Sequence, residues 1–131
     1  TIAANANDVF KVLGDFGRIK VGGAITAFEL EGEGVGAVRT ITMGGGQVIE
    51  RLDEHDSEKL VFGYSILNED NPLPVSNYSS QVEITANGED ACTVNWSGTF
   101  EPKGADEAVA SKVIHGIYTG GIASTRKALG C

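Results

Sequence analysis

The sequence predicts an α+β domain: a curved antiparallel β-sheet of about six to seven strands wrapped around a long C-terminal helix, with two short helices near the N-terminus. Three observations carry this. Between Ala24 and Glu101 apolar residues recur with a period of two, the alternation that sends successive side chains to opposite faces of a strand. The alternating runs are separated by Gly, Asn, Asp and Pro clusters too short for helical crossovers, so neighbouring strands pair antiparallel in a meander. From Ala105 to Leu129 the period changes to that of a helix. A lone sheet cannot bury its apolar face, so this helix must cover it.

The elements follow in chain order. Asn5, Asn7 and Asp8 precede apolar Val9, Phe10, Val12 and Leu13, and Gly14 follows, which predicts a helix of about two turns. "DFGRIKVGGA" reads as a second short helical piece or a loop. An opening strand trimmed ahead of Thr1 is left open. Six strand candidates come next: "AITAFELEG", "VGAVRTITM", "QVIERLDEHD", "KLVFGYSIL", "NYSSQVEITA" and "ACTVNWSGTFE". The last helix has Asp106 and Glu107 in its first turn, Arg126 and Lys127 in its last, and Gly130 beyond, matching the helix dipole and C-cap preferences. At about 1.5 Å per residue it would run roughly 37 Å.

With 131 residues, 41% hydrophobic and 21% charged, the chain has the material for one core, a single domain over residues 1–131. A net charge of −8 disfavours nucleic acid and anionic membranes as partners. No apolar run approaches the roughly 20 residues of a membrane span, and the expected compartment is the cytoplasm. Cys92 and Cys131 are too few for a disulfide framework and lack metal-ligand spacing; Cys92 reads as a reduced core residue. "GGG" at Gly44 lacks the lysine of a phosphate loop, and no metal or cofactor is expected. His55 and His115 read as solvated or rim residues. A homodimer is left open.

Alternation assigns the inward faces. Arg39 shares a face with Ala37, Ile41 and Met43, and Glu50 shares one with Val48 and Leu52, so each strand carries one charge among apolar neighbours. If Gly44-Gly45 is a two-residue turn, Met43 faces Gly46 and Arg39 faces Glu50, an inward ion pair. Such a pair is either a structural way of satisfying two inward charges or the polar end of a ligand pocket. Phe62, Tyr64 and Ile66 share one face, as do Tyr78, Ser80, Val82 and Ile84; buried hydroxyls there need partners. For "CTVNWSGTF" two assignments stay open: Val94, Trp96 and Phe100 inward, or Thr93, Asn95 and Ser97. On the last helix Val113, Ile114, Ile117, Tyr118, Gly121, Ile122 and Thr125 form one stripe, and Gly120-Gly121 interrupts it for close packing or for room. Between strands, "NEDNPLPVSNYSS" brackets Leu73 with Pro72 and Pro74, a stiffened rim loop with an apolar tip.

The order of "EGEGVGAVRTITM", a glycine turn, "VIERLDEHD", "FGYSIL", a rigid loop ending in "NY" and a long C-terminal helix resembles the SRPBCC or START-like superfamily, whose helix-grip fold is that of the major birch-pollen allergen. The resemblance covers nearly the whole chain and is closest to polyketide cyclase/dehydrase-type proteins and plant abscisic acid receptors. It implies a hydrophobic cavity between sheet and long helix, taking lipids, hormones, polyketides or other apolar small molecules. The receptors' gate and latch fall on Gly44-Gly45-Gly46 and Leu73-Pro74-Val75, their pocket glutamate, aromatic and tyrosine on Glu50, Tyr64 and Tyr78, and a basic partner on Arg39. The gate lacks Ser-Gly-Leu-Pro, the latch lacks His-Arg, and Gly23 stands where the receptors' lysine would be, with Lys20 one turn earlier, so abscisic acid sensing is not implied.

The candidate ligand-binding residues are therefore Phe28, Arg39, Ile41, Met43, Val48, Glu50, Phe62, Tyr64, Ile66, Leu73, Pro74, Tyr78, Ser80, Ile117 and Gly121. Three functions compete: binding of an apolar or amphipathic small molecule; a cyclase, dehydratase or aldolase-like enzyme using Glu50 with Tyr64 or Tyr78; and a scaffold with a filled core.

Overall fold

The computed structural model describes residues 1–17, 25–43, 46–68 and 70–131. Six strands, β1 (Ile25–Glu31), β2 (Val38–Met43), β3 (Gly46–Asp56), β4 (Val61–Ile66), β5 (Val75–Ala86) and β6 (Cys92–Pro102), form one sheet in sequence order, each antiparallel to the next. Helix α1 (Ala6–Leu13) precedes the sheet and α2 (Glu107–Leu129) follows it. The second short helix expected after α1 falls largely on residues 18–24, outside those described.

Local chemistry accounts for the boundaries. The Asn5 side chain accepts from the Asn7 N–H at the start of α1, and the Gly14 N–H closes its end on the Phe10 carbonyl. Asp106 caps α2 by accepting from the Val109 N–H, and Gly130, at φ +73°, donates back to the Arg126 and Lys127 carbonyls. Irregularities in pairing between Ile25 and Ala27, Leu52 and Glu54, and Ser76 and Ser79 bend the sheet, as bulges do. At its far edge Ile2 and Cys92 exchange backbone hydrogen bonds of 2.8 and 3.0 Å, so the chain start lies along β6.

The register places Arg39 opposite Glu50 and Met43 opposite Gly46, the even hairpin expected from the charges. For β6 the open question is settled by a five-residue loop from Asn87 to Glu89 and on to Ala91, which pairs Val82 with Trp96 and Ile84 with Val94. Val94, Trp96 and Phe100 therefore share the inner face with the buried residues of β5. Ala6, Val9 and Phe10 of α1, Phe62 of β4, Val82 and Ile84 of β5, Cys92 of β6 and Ala110 and Ile114 of α2 build the core. Helix α2 leans on α1 and β6. Among the described residues, the part of the concave face formed by β2, β3 and β4 is less covered.

Candidate functional site

A cavity of about 720 Å³ lies over that less covered part of the face. The sheet contributes Ile25, Arg39, Ile41, Met43, Val48, Glu50, Phe62, Tyr64 and Trp96; α1 and the turn after it contribute Val12, Leu13, Asp15 and Phe16. Helix α2 adds Ile117, Gly121, Ser124 and Thr125, and the loop before β5 adds Leu73. Most of this lining is hydrocarbon or aromatic, which suits apolar ligands.

The polar exception is the ion pair. Arg39 Nε donates to Glu50 Oε1 at 2.7 Å, with side-chain exposures of 13% and 9%. Arg39 Nη1 donates to the Phe16 carbonyl at 3.2 Å, and the guanidinium lies 4.0 Å from the Phe16 ring centroid and 5.4 Å from that of Tyr64. One cation thus holds a carboxylate, a backbone carbonyl and two aromatic faces together, an arrangement planar guanidinium permits and ammonium does not. Phe16 follows no periodic run, so no sequence signal placed it over Arg39.

Of the candidate residues, Arg39, Ile41, Met43, Val48, Glu50, Phe62, Tyr64, Leu73, Ile117 and Gly121 line the cavity. Five lie elsewhere. Phe28 pairs with Ile41 on the outer strand β1 and is only half-buried. Ile66 and Tyr78 border a separate space of about 110 Å³ with Asn71 and Val75. Pro74 accepts the Lys103 N–H through its carbonyl, tying the loop to the end of β6. Ser80 sits behind Trp96. Val75, assigned to the rim latch, is fully buried and paired with Pro102, because β5 begins there and the bulge before Ser79 changes which residues point inward. The bulge uses Asn77 at φ +50°, a conformation asparagine tolerates better than most residues, with its amide on Glu101 Oε2 at 3.0 Å. Gly44, Gly45, Lys20 and Gly23 lie outside the described residues.

Behind the cavity is a cluster of hydroxyls. Tyr64 and Tyr78 hydroxyls are 3.5 Å apart, Tyr78 is hydrogen-bonded to Tyr118 of α2, and Tyr118 donates to Ser80 Oγ at 3.3 Å. Trp96 Nε1 donates to the same oxygen at 2.9 Å, and the Ser80 hydroxyl donates to the Ser97 carbonyl at 2.9 Å. Burial pushes the Tyr64 and Tyr78 phenols well above the ordinary tyrosine range. The Trp96 and Tyr118 rings stack at 4.5 Å, and this stack closes the β5–β6 end of the enclosure. Two glycines permit it. A Cβ at Gly98 would strike the Tyr118 hydroxyl, and one at Gly121 would come 2.8 Å from the Trp96 ring. Gly120 meets nothing within 4 Å, so only Gly121 of the pair has a packing reason.

Both histidines are exposed, His55 with its ring 5.0 Å from Phe10. Among the described residues, no group of three or more His, Cys, Asp or Glu could hold a metal, and no helix is long and apolar enough to cross a membrane.

Residues 1–130 match the family model described as polyketide cyclase / dehydrase and lipid transport. Among solved structures, the protein XoxI from Bacillus cereus is similar at 30% identity and a TM-score of 0.80, covering 97% of this chain and 89% of its own. Norcoclaurine synthase from Thalictrum flavum, in complex with dopamine and hydroxybenzaldehyde, is similar at 22% identity and a TM-score of 0.76, with coverage of 98% and 80%. Ara h 8.0201 is similar at 21% identity and a TM-score of 0.77, with coverage of 97% and 90%. The last two likenesses are of fold: the helix-grip arrangement of sheet and long helix expected from the sequence is the one present. Among curated proteins, no sequence matches the chain.

Proposed function

The chain belongs to the polyketide cyclase / dehydrase and lipid transport family, and on that premise we propose that it binds one apolar or amphipathic small molecule, a lipid, polyketide, aromatic or hormone-like compound, between the sheet and α2. The observation that supports this is the unfilled space of about 720 Å³ among Ile41, Met43, Val48, Phe62 and Ile117, with a partly desolvated ion pair on its wall. The space opens to solvent beside Ile117, so its apolar walls are surface that a ligand would remove from water. Its volume falls in the range of about 300–1,000 Å³ typical of small-molecule sites. The pair gives an otherwise apolar enclosure one place for a polar head.

The test is titration with the neutral fluorophore N-phenyl-1-naphthylamine. Saturable, one-to-one uptake with blue-shifted emission, reversed by an apolar competitor, is the expected result. No uptake by folded protein would defeat the proposal.

A second reading is favoured by one specific feature: Glu50 and Tyr64 stand together on the cavity wall, where a carboxylate could move a proton on a bound substrate. Glu50→Gln separates the two. Retained ligand affinity with abolished turnover of a polyketide or aromatic carbonyl substrate favours catalysis; weakened affinity with no turnover in either protein favours binding alone.

A further inference from the structure

The hydroxyl cluster has one proton for each of its contacts, and placing them in turn fixes its direction. Ser80 has one proton and gives it to the Ser97 carbonyl at 2.9 Å. Its oxygen therefore only accepts, from Trp96 Nε1 at 2.9 Å and from Tyr118 at 3.3 Å. With the Tyr118 proton committed to Ser80, the Tyr78–Tyr118 contact is closed by Tyr78 donating. The Tyr78 proton is then spent as well, so at 3.5 Å Tyr64 donates to Tyr78. The opposite orientation would turn the Tyr118 and Ser80 lone pairs towards each other. Burial keeps Tyr64 and Tyr78 protonated at neutral pH, so each hydroxyl has one proton to place.

Tyr64 lines the cavity, and with its hydroxyl turned to Tyr78 it presents an oxygen lone pair to a ligand. Glu50 lines it too. Its Oε1 takes the Arg39 Nε–H, and its Oε2 receives no hydrogen bond among the described residues. Arg39, already opposite Glu50, has its Nε and Nη1 engaged by Glu50 and the Phe16 carbonyl. Its charge is thus matched, and one N–H of Nη1 and the two of Nη2 remain to donate. Phe16, Phe62, Tyr64 and Trp96 supply aromatic surface around this polar end.

We propose that the polar end of the cavity receives a hydroxyl head on an apolar or aromatic body, accepting its O–H hydrogen bond on Glu50 or Tyr64 and donating to its oxygen from a remaining Arg39 N–H, and that it rejects carboxylates. This deepens the binding function proposed above and rests on it. A carboxylate would bring a further anion and no donor to a place where Glu50 already balances the Arg39 charge and Tyr64 presents a lone pair. An ether would leave both acceptors without a donor, which hydrogen-bonding sites discriminate against strongly.

Displacement of N-phenyl-1-naphthylamine at neutral pH by 4-hexylphenol, 4-hexylanisole and 4-hexylbenzoate tests this, since the three share one apolar body. The phenol is expected to compete at concentrations at least tenfold lower than either of the others. Tyr78→Phe keeps the ring but removes the acceptor of the Tyr64 proton, which is then free to turn to the cavity. Tyr118→Phe acts one step further back, freeing the Tyr78 proton to be given to Tyr64. In both variants the preference for phenol over benzoate is expected to shrink at least threefold, with far-ultraviolet circular dichroism verifying the fold. Equal or stronger competition by the benzoate or the anisole in the native protein would overturn the proposal, as would an unchanged ratio in both variants. Failure of the native protein to take up N-phenyl-1-naphthylamine at all is a different failure, that of the binding function itself.

Discussion

The two halves of the concave face are built from the same strands' inner positions and lie under the same helix, yet one is filled and the other is hollow. Over β5 and β6 the space is taken by Trp96, Tyr118, Tyr78 and Phe100, with Gly98 and Gly121 thinned so that α2 can come close. Over β2, β3 and β4 the inner side chains are Ile41, Met43, Val48, Arg39 and Glu50, and α2 leans the other way, on α1 and β6. The comparison shows that cavity size here depends on where large aromatics sit and where glycine lets the helix settle, rather than on any shortage of apolar residues. The filled half also holds the hydroxyl chain that ends on Tyr64, so the two halves meet at one phenol.

Breaking the polar wall of the hollow half should cost most. Arg39→Ala leaves Glu50 without its ion-pair partner and uncovers Phe16, and should lower stability by about 3 kcal/mol in urea denaturation. In the double variant Arg39→Ala/Glu50→Gln, part of that loss should return; strict additivity would show that the pair is not coupled.

The filled half should be the more sensitive to alkali. Tyr64 and Tyr78 have folded-state pKa values above the unfolded value of about 10, so the native state holds protons that the unfolded chain releases. Their contribution is complete below about pH 10 and is lost as pH rises beyond it. Stability should therefore fall by up to about 1.4 kcal/mol per pH unit per phenol. Absorbance at about 295 nm should show these two phenolates only on unfolding. Tyr78→Phe should flatten the dependence.

The glycine pair offers a comparison of opposite signs. Gly121→Ala drives a methyl into the Trp96 ring and should destabilise by about 1–2 kcal/mol, as overpacking does. Gly120→Ala points into open space and should stabilise by about 0.5–1 kcal/mol through helix propensity. Thermal denaturation distinguishes them, and equal effects would remove the packing account of Gly121.

The smallest effect on stability belongs to the rim. Leu73→Ser should change the urea midpoint little, by less than about 1 kcal/mol, yet weaken uptake of N-phenyl-1-naphthylamine severalfold because Leu73 lines the cavity.

Much of this comparison was legible before folding. Alternation and a single hairpin length were enough to bring Arg39 opposite Glu50, because both are local properties of adjacent strands. The caps of α2 could be read from Asp106 and Gly130 for the same reason. What could not be read depended on distant elements. Phe16 and Asp15 reach the cavity because of where α1 lies on the sheet, which no period in their own segment records. Trp96 required the odd loop after Ala86, and Val75, read as rim from the resemblance to a latch, is instead the buried first residue of β5. Tyr78 and Ser80 were correctly assigned inward, but whether an inward residue faces a ligand or a neighbour was decided by Tyr118 and Trp96 coming from the other side.

The most direct test of the hollow half as a binding site is to fill it. Met43 lines the cavity and is only half-buried, so Met43→Trp can place a large ring in the space without removing a core residue. Titrated beside the native protein with N-phenyl-1-naphthylamine, the folded variant should bind at least tenfold more weakly. Equal binding by the two would place the probe elsewhere and contradict the account.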